Sequence, residues 1–446
     1  MNPRNGRHAV VIGASMGGLL AARALAEHFE QVTVLERDTF PDDAGENRKG
    51  VPQGLHAHGL LGQGRLILEQ LFPGFTTELE RQGAILGDLG GETSWFHHAG
   101  FHRHHDSGIV GLFASRPLLE AHVRRRLLAL PNVRAITGVD VSGLHVVPSD
   151  GSVVGVYLRR TYENDMEALP ANLVVDASGR GSRLPIWFAS FDFERPREER
   201  VQVGLRYTTR VYRRRPEHVD GIKAVVKAGS LNNSRGGALL PIEGDRWILS
   251  MGGYDGDHAP ADEAGMLEYA RGMGAPQFAS VIEQAEPVSD PITYRFPASV
   301  RRRYERLRRF PRGLLVFGDA ICSFNPVYGQ GMTVAVMQSL ALRDELAGDA
   351  NTLAQRFFRR AARIVDTPWT IVIGTDARIL DIDKHNGLGN RLLGGYLDNL
   401  HTAALSDARV ADAFLRVANL MAAPTVLLAP AMLWRVWRGA RTARAR

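Results

Sequence analysis

Cysteine is almost missing from this chain: Cys322 is the only one in 446 residues. An intramolecular disulfide and any metal site built on paired cysteines are therefore excluded. Long apolar runs are scarce as well. One uncharged, apolar stretch, Val417 to Trp434, contains Pro424 and Pro430, which favours packed helices over a membrane span. Met1 to Arg7 is polar, no apolar signal segment precedes the first strand-like run, and the expected compartment is the cytoplasm. The body of the molecule also lacks excess charge. Its 54 basic and 48 acidic residues leave +6, of which Arg435, Arg438, Arg441, Arg444 and Arg446 supply five with no acid among them. A nucleic-acid-binding core is not indicated. The basic tail reads either as an interfacial helix making weak peripheral contact with anionic lipid, or as a solvated end with its tryptophans folded back. Lysine is rare (Lys49, Lys223, Lys227 and Lys384), which reflects coding bias more than mechanism.

The remainder is ordinary globular composition, 44% hydrophobic and 23% charged, in a chain long enough for two or three domains. Its first motif is a βαβ pattern. His8-Ala-Val-Val-Ile12 is a short apolar run suited to a buried parallel strand. Gly13-Ala-Ser-Met-Gly-Gly18 turns the chain, Leu19 to Phe29 predicts a helix, and a second strand, Gln31 to Leu35, ends at Glu36. In that order a diphosphate can meet backbone N–H groups at the helix start, where the peptide dipoles favour negative charge. Gly13 permits the tight turn, Gly18 lets helix and strand pack closely, and Glu36 can accept from a ribose diol. Ser15 stands where the second glycine usually lies.

Further along, Asp38 to Gly64 is loop-rich, and Leu60 to Phe72 predicts an amphipathic helix stopped by Pro73-Gly74. Arg116-Pro117 opens another helix, with Leu118, Leu119, Val123 and Leu127 on its apolar side. From Arg134 the period becomes that of strands, with a turn at 148–152 inside a β-meander. Ala171 to Val175 is a buried strand leading into Asp176-Ala-Ser-Gly179. Strands are expected at Val201–Val211, Gly237–Pro241 and Arg246–Met251, and a helix at Asp262–Arg271. Leu314 to Phe317 is again a buried strand, followed by Gly318-Asp319 and Phe324-Asn-Pro-Val-Tyr-Gly-Gln-Gly-Met332. A helix follows from about Thr333 to Leu346, and the last hundred residues read as mainly helical. The histidine cluster His97, His98, His102, His104 and His105 invites a metal, but it lacks a supporting carboxylate pattern beyond Asp106, so no metal ligand is assigned. Cys322 reads as a small packing residue.

With these three separated segments in this order, the chain resembles the class A flavin-dependent monooxygenases of the para-hydroxybenzoate hydroxylase-like fold. It is most similar to the subgroup of bacterial polyether polyene epoxidases and quinolone epoxidases. The residues carrying that likeness are Arg48-Lys-Gly-Val-Pro-Gln53, His56-Ala-His58, Leu71-Phe-Pro-Gly74, Leu240 to Trp247 and the run from Phe324 to Met332. The resemblance implies an α/β fold in which a Rossmann-like FAD-binding domain (1–72, 106–185 and 301–346) interleaves with a mixed β-sheet substrate domain (73–105 and 186–300). A C-terminal helical region with a basic tail (347–446) completes it. It further implies that Gly13, Ser15 and Gly18 cradle the FAD diphosphate, that Glu36 holds the adenosine ribose, and that Arg116 lies on the diphosphate side. Asp319 would bind the ribitol chain, Pro326, Gly329, Gln330, Gly331 and Met332 would line the ring system, and Arg48 falls in a loop that approaches the flavin. The family's middle motif reads Asp-Gly, whereas Ser178-Gly179 stands here. Electrons would then come from NAD(P)H directly or through a separate flavin reductase.

The implied chemistry is insertion of one oxygen atom from O2 through a C4a-hydroperoxide of the flavin. That needs no amino-acid nucleophile, and no Ser-His-Asp or paired-carboxylate arrangement stands out. The expected reaction is epoxidation of an alkene, or hydroxylation of an aromatic ring, in a hydrophobic secondary metabolite of polyketide, terpenoid or aromatic type. His56, Trp95, Phe324 and Tyr328 are candidates for the substrate cavity, with aromatic core packing the competing reading. Three other functions remain open: a flavin halogenase, whose Trp-x-Trp-x-Ile-Pro run is absent, a flavin-dependent prenyl-chain or alkene reductase, and a non-catalytic flavin-binding carrier.

Overall fold

The computed structural model of the protein describes residues 6–97, 100–160, 165–380 and 388–444. His98, Lys384 and Arg446 lie outside the described residues. Apolar runs too short for helices form a five-stranded sheet that is parallel throughout. Its order is Leu314–Val316, Leu173–Asp176, Gly6–Ile12, Phe29–Glu36 and Val133–Thr137. Both faces are covered away from the Val133–Thr137 edge, so the other four strands show runs of continuous rather than alternating burial. Ile12 is in register with Asp176, and Asp176 with Val316. Three chain turns therefore leave the sheet side by side at its carboxyl edge, where open parallel sheets bind ligands.

The helix after the first strand runs over Met16–Leu25, starting three residues before the expected Leu19 and ending four before Phe29. The difference has a physical cause: Gly17 and Gly18 lie inside its first turn, and Phe29 already belongs to the next strand. This helix packs on Gly331–Glu345, where the Ser339 hydroxyl donates to the Leu20 carbonyl at 2.7 Å.

A second, eight-stranded sheet is mainly antiparallel and built around the long Glu198–Arg213 strand. Its neighbours are Arg246–Gly253 and Ile292–Arg302. The last of these escapes a reading by alternation because Pro297 interrupts it and Arg301 and Arg302 are buried at its end. At the far edge Thr93–His97 joins Ala224–Lys227 in parallel, so residues before the sheet's main body supply part of it. The expected meander forms from Val139–Val146, Val153–Arg160 and Met166–Pro170.

The last segment is helical: Leu353–Ile379, Leu388–Ala404, Ala408–Ala418 and Pro430–Arg444. Pro424 and Pro430 break the uncharged stretch as expected, the first opening a short 3-10 turn and the second a new helix. Among the described residues no helix is long and apolar enough to cross a membrane. The tail helix packs back on Leu388–Ala404 through Val436 and Ala440, while Trp434 and Trp437 are 52% and 56% exposed.

Candidate active site

The carboxyl edge of the parallel sheet opens into one cavity of 1480 Å³. Ligand pockets for a single small molecule are typically about 300–1,000 Å³, so this one has room for two ligands side by side. One end is bounded by Gly13, Ser15, Glu36, Arg48, Arg116 and Asp319, the other by the mixed sheet and the C-terminal helices.

At the first end the backbone allows no substituent at Gly13 or Gly18. Gly13 has φ +98°, and a Cβ there would stand 2.8 Å from the Ala177 carbonyl oxygen. A Cβ on Gly18 would lie 1.8 Å from the Gly13 carbonyl oxygen, whereas on Gly17 it would meet nothing nearer than 3.9 Å. Helix and strand thus close tightly behind the turn and leave open space in front of it. Ser15 is the N-cap of the helix, but its side chain makes no capping bond. Its hydroxyl donates to Glu120 Oε2 at 3.0 Å and accepts from Arg116 at 2.9 Å. The helix's first N–H groups are left to face the cavity, and a serine is accommodated where glycine is usual because its side chain turns away.

Arg116 and Arg48 converge here from different elements, Arg116 from the Arg116–Leu128 helix and Arg48 from the 38–61 loop. Glu120, one turn after Arg116, sits between them. Arg116 Nη2 donates to Glu120 Oε2 at 2.9 Å, and Arg48 Nε donates to Glu120 Oε1 at 2.9 Å. All three side chains are buried. Burial alone pushes the Glu120 carboxyl up, but the two guanidiniums and the hydrogen bonds from Arg48 and Ser15 outweigh it and hold the pKa below the ordinary range. Arg48 also approaches Glu36 Oε2 at 3.0 Å and donates to the Ala14 carbonyl at 3.2 Å. Glu36 in turn accepts from the Ala14 N–H at 2.8 Å. Arg48 therefore stands at the turn-and-ribose end of the cavity. Arg116 Nε is buried without a partner, a donor left over for an anion. His58, beside this cluster, is held to a pKa of about 4 by burial and by the Arg116 charge, so it is neutral at physiological pH.

The third turn completes this half. Gly318 N–H donates to Gln338 Oε1 at 2.9 Å, tying the turn to the Gly331–Glu345 helix. Asp319 opens onto the cavity, where desolvation raises its pKa. Pro326, Gly329, Gln330, Gly331 and Met332 line the wall together. Gly329 adopts a left-handed φ of +63° and lies against Gly59, a Cβ on which would be 3.7 Å from the Gly329 Cα. The helix starting at Gly331 has no side-chain cap, and Gln330 Oε1 is buried and unpartnered. The N–H groups of its first turn are again directed at the cavity.

At the middle turn Ser178 and Gly179 line the cavity, but Asp176 behind them is buried and occupied. It accepts from the Ser178 N–H at 3.0 Å and from the Ser182 hydroxyl at 2.5 Å, which fixes the turn.

At the second end Trp95, Phe324 and Tyr328 line the cavity, as does Lys227. Desolvation in this wall lowers the Lys227 ammonium to about 8. His56 does not reach it. Its ring is buried against Tyr207, with centroids 4.7 Å apart, and shares a 2.7 Å hydrogen bond with Thr209. In the histidine cluster His97 stacks on His401 at 3.5 Å and His102 shares a 3.1 Å contact with it, while His104 turns to Ser94 and His105 to Asp412. Cys322 is buried in the core.

Sequence reading missed Glu120 and a second buried carboxylate, Asp376. Asp376 Oδ1 accepts from Tyr328 at 2.8 Å, Asn325 at 2.9 Å and Tyr254 at 3.2 Å, and Oδ2 has no partner. Desolvation raises its pKa to about 6, against the three hydrogen bonds that lower it. The available signal was its position: Asp376 continues the buried stripe Val365, Trp369 and Val372 of its helix.

Because the folded-state pKa lies above the unfolded one, ionisation of Asp376 opposes folding. Its contribution is complete below about pH 4 and is lost as pH rises through about 6. Asp376→Asn is expected to remove about 3 kcal/mol of pH-dependence between pH 4 and 8. Urea denaturation across that range measures it, and parallel wild-type and variant curves would count against the raised Asp376 pKa.

No protein-family profile matches the chain. Protein Rv3254 of Mycobacterium tuberculosis (strain ATCC 25618 / H37Rv) is 34% identical over 443 residues, covering 94% of this chain and 90% of the relative. The chain belongs to the Rv3254 family. Among solved structures, a flavoprotein/dehydrogenase from Cytophaga hutchinsonii superposes with TM-score 0.70 at 14% identity, over 99% of both chains. The flavin-dependent brominase Bmp2 gives 0.67 at 14% identity, over 99% of this chain and 100% of the brominase. The p-nitrophenol 4-monooxygenase PnpA of Pseudomonas putida DLL-E4 gives 0.63 at 16%, over 94% and 99%. At such identities the likeness fixes the fold alone. This member of the Rv3254 family has the mixed α/β fold of FAD-binding monooxygenases, with helices at its C-terminal end.

Proposed function

We propose that the protein is an FAD-dependent monooxygenase that inserts one oxygen atom of O2 into a hydrophobic small molecule, epoxidising an alkene or hydroxylating an aromatic ring. The observation that carries this reading is the meeting of three distant turns, at Gly13, Gly179 and Asp319, with two uncapped helix starts on one cavity. The donors suit an elongated, doubly anionic dinucleotide: the first-turn N–H groups of the uncapped Met16–Leu25 helix, the spare Nε–H of Arg116, and acceptors at Glu36 and Asp319 for sugar hydroxyls. Gly13, Ser15, Gly18, Arg48 and Arg116 would hold the diphosphate end and Glu36 the adenosine ribose. Asp319 would hold the ribitol, and Pro326, Gly329, Gln330, Gly331 and Met332 the ring edge. We divide the chain accordingly into the interleaved FAD and substrate domains and the helical region expected above.

Bound and reduced FAD would supply activation of O2 and delivery of one oxygen atom. The chain's own part is electrostatic and steric. The N–H groups at the start of the Gly331–Glu345 helix would favour negative charge on a ring held against Pro326 to Met332. Trp95, Phe324 and the apolar surface around them orient the substrate and exclude water. Tyr328, pinned to Asp376, keeps a hydroxyl fixed at the cavity wall. An apolar cavity without a nucleophile–base pair suits an electron-rich alkene, for which no base is needed. Lys227, Tyr328 and His58 are the groups that would assist a phenol instead.

Electrons would come from NAD(P)H directly or from a separate flavin reductase. Asp176 is committed to its own turn, which favours the reductase. The competing readings are alkene reduction by the same cofactor and a non-catalytic flavin carrier. Reconstitution with FAD, anaerobic photoreduction and addition of O2 with candidate alkenes and phenols separates them. Substrate-dependent oxygen incorporation is the expected result. Saturation of the alkene without oxygen uptake would identify a reductase, and a flavoprotein inert towards every substrate would be a carrier. A chain that stays colourless after reconstitution removes all three.

A further inference from the structure

The C-terminal helix Pro430–Arg444 is anchored on one side only. Val436 and Ala440 are buried, and Gly439 lies so close to Ala403 that a Cβ would stand 2.7 Å from it. At 100° per residue, Trp434, Trp437, Arg438 and Arg441 share the opposite face. Among the described residues, five of the exposed large apolar side chains fall within 426–437: Val426, Leu428, Leu433, Trp434 and Trp437. Burying a tryptophan is strongly favourable in water, so two half-exposed ones on a single helix face mark a surface that meets something apolar.

The charge beside them selects the partner. The helix contains no acid, and Arg435 is neutralised by Asp407 at 2.8 Å on the protein side. Arg438 and Arg441 instead lie over the Trp434 and Trp437 rings, 4.8 and 4.7 Å from the centroids. Rings with guanidiniums lying over them form the pattern that sits at a headgroup layer, the rings at the acyl boundary and the cations on phosphates. A second copy of the chain is disfavoured, because a symmetric contact through this face would press arginines against arginines.

The same surface reaches the cavity. Leu428 and Leu393 are each about half exposed and also line it, placing them at its mouth with Thr425, and Pro424 and Leu427 just inside. We propose that the outer face of the Pro430–Arg444 helix docks on an anionic lipid surface and sets the cavity mouth at Leu393 and Leu428 against the acyl region, so that an apolar substrate enters from the membrane. The docking stands on the helix alone, while the entry route rests on the monooxygenase reading above.

Co-sedimentation of the full chain with vesicles tests it. Phosphatidylglycerol–phosphatidylcholine vesicles are expected to bind and pure phosphatidylcholine vesicles to bind far more weakly, with the difference shrinking at high salt. Arg438→Glu with Arg441→Glu should weaken binding about 30-fold or more. Trp434→Ala with Trp437→Ala should weaken it about tenfold. Circular dichroism and gel filtration establish that both variants remain folded. Equal binding to both vesicle types, no binding to either, or variants that bind like the wild type would overturn the docking. So would a concentration-dependent dimer abolished by the arginine changes, which would assign the face to a second copy. FAD uptake measured on the same samples keeps the two readings apart: vesicle binding by a chain that takes no flavin would remove the monooxygenase and leave the docking.

Discussion

Gly18→Ala is expected to destroy flavin uptake and to destabilise the fold. The added methyl would lie 1.8 Å from the Gly13 carbonyl oxygen and 2.8 Å from its carbon, both backbone atoms of the strand-to-helix turn. No rotamer relieves that contact, so the Met16–Leu25 helix has to move off the sheet. Overpacking of this kind costs about 3 kcal/mol or more. The displaced helix start takes its N–H groups with it, and FAD affinity should fall about 100-fold or more. Thermal denaturation and fluorescence titration with FAD measure the two effects. Gly17→Ala is the internal control, since its methyl meets nothing within 3.9 Å on the protein side. It should leave stability almost unchanged and weaken flavin binding alone. An alanine at 18 that binds FAD normally would mean that this turn does not grip the cofactor.

Glu120→Ala should produce the largest loss of stability away from the glycines. It leaves two buried guanidiniums, Arg48 and Arg116, facing each other without the carboxylate that both contact. Breaking a buried pair in this way costs about 3–5 kcal/mol. Arg48 keeps Glu36, but Arg116, left without a carboxylate, should then welcome an anion, so FAD is expected to raise the melting temperature of the variant by more than it raises that of the wild type. Glu120→Gln, which keeps hydrogen-bond acceptance without charge, should fall between the two. The pH-dependence has a definite sign. The folded-state pKa of Glu120 is depressed, so its contribution is present above the ordinary glutamate pKa and disappears as pH falls through the folded value. Denaturant titrations with and without FAD, at neutral and acid pH, test all of this. An alanine variant as stable as the wild type would show that the arginines find other partners.

The parts of the fold that were legible in the sequence are those set by neighbours in the chain. Short apolar runs ending in glycine turns mark the parallel strands Gly6–Ile12, Leu173–Asp176 and Leu314–Val316, because burial on both faces needs only local hydrophobicity. The run from Phe324 to Met332 likewise placed its residues on the cavity. Glu120 and Asp376 were illegible for the opposite reason. Each is a carboxylate on a helix, the usual sign of a solvated face, and each is buried by groups far off in the chain. Arg48 reaches Glu120 across 72 residues, and Tyr254 reaches Asp376 across 122. His56 and His58 show the same limit at close range. Two residues apart in one loop, one turns into the mixed sheet and the other faces the cavity, a choice made by Thr209 and Tyr207 rather than by the loop.

The cavity is assembled from two portions of the chain with separate obligations. Its glycine-turn end comes from segments before 333, while residues from 366 to 428 supply much of the apolar enclosure opposite. Mutation can therefore remodel the enclosure, and with it the molecules admitted, while the turns stay fixed. In such an arrangement a lineage can diversify what it accepts without relearning how to hold what it uses.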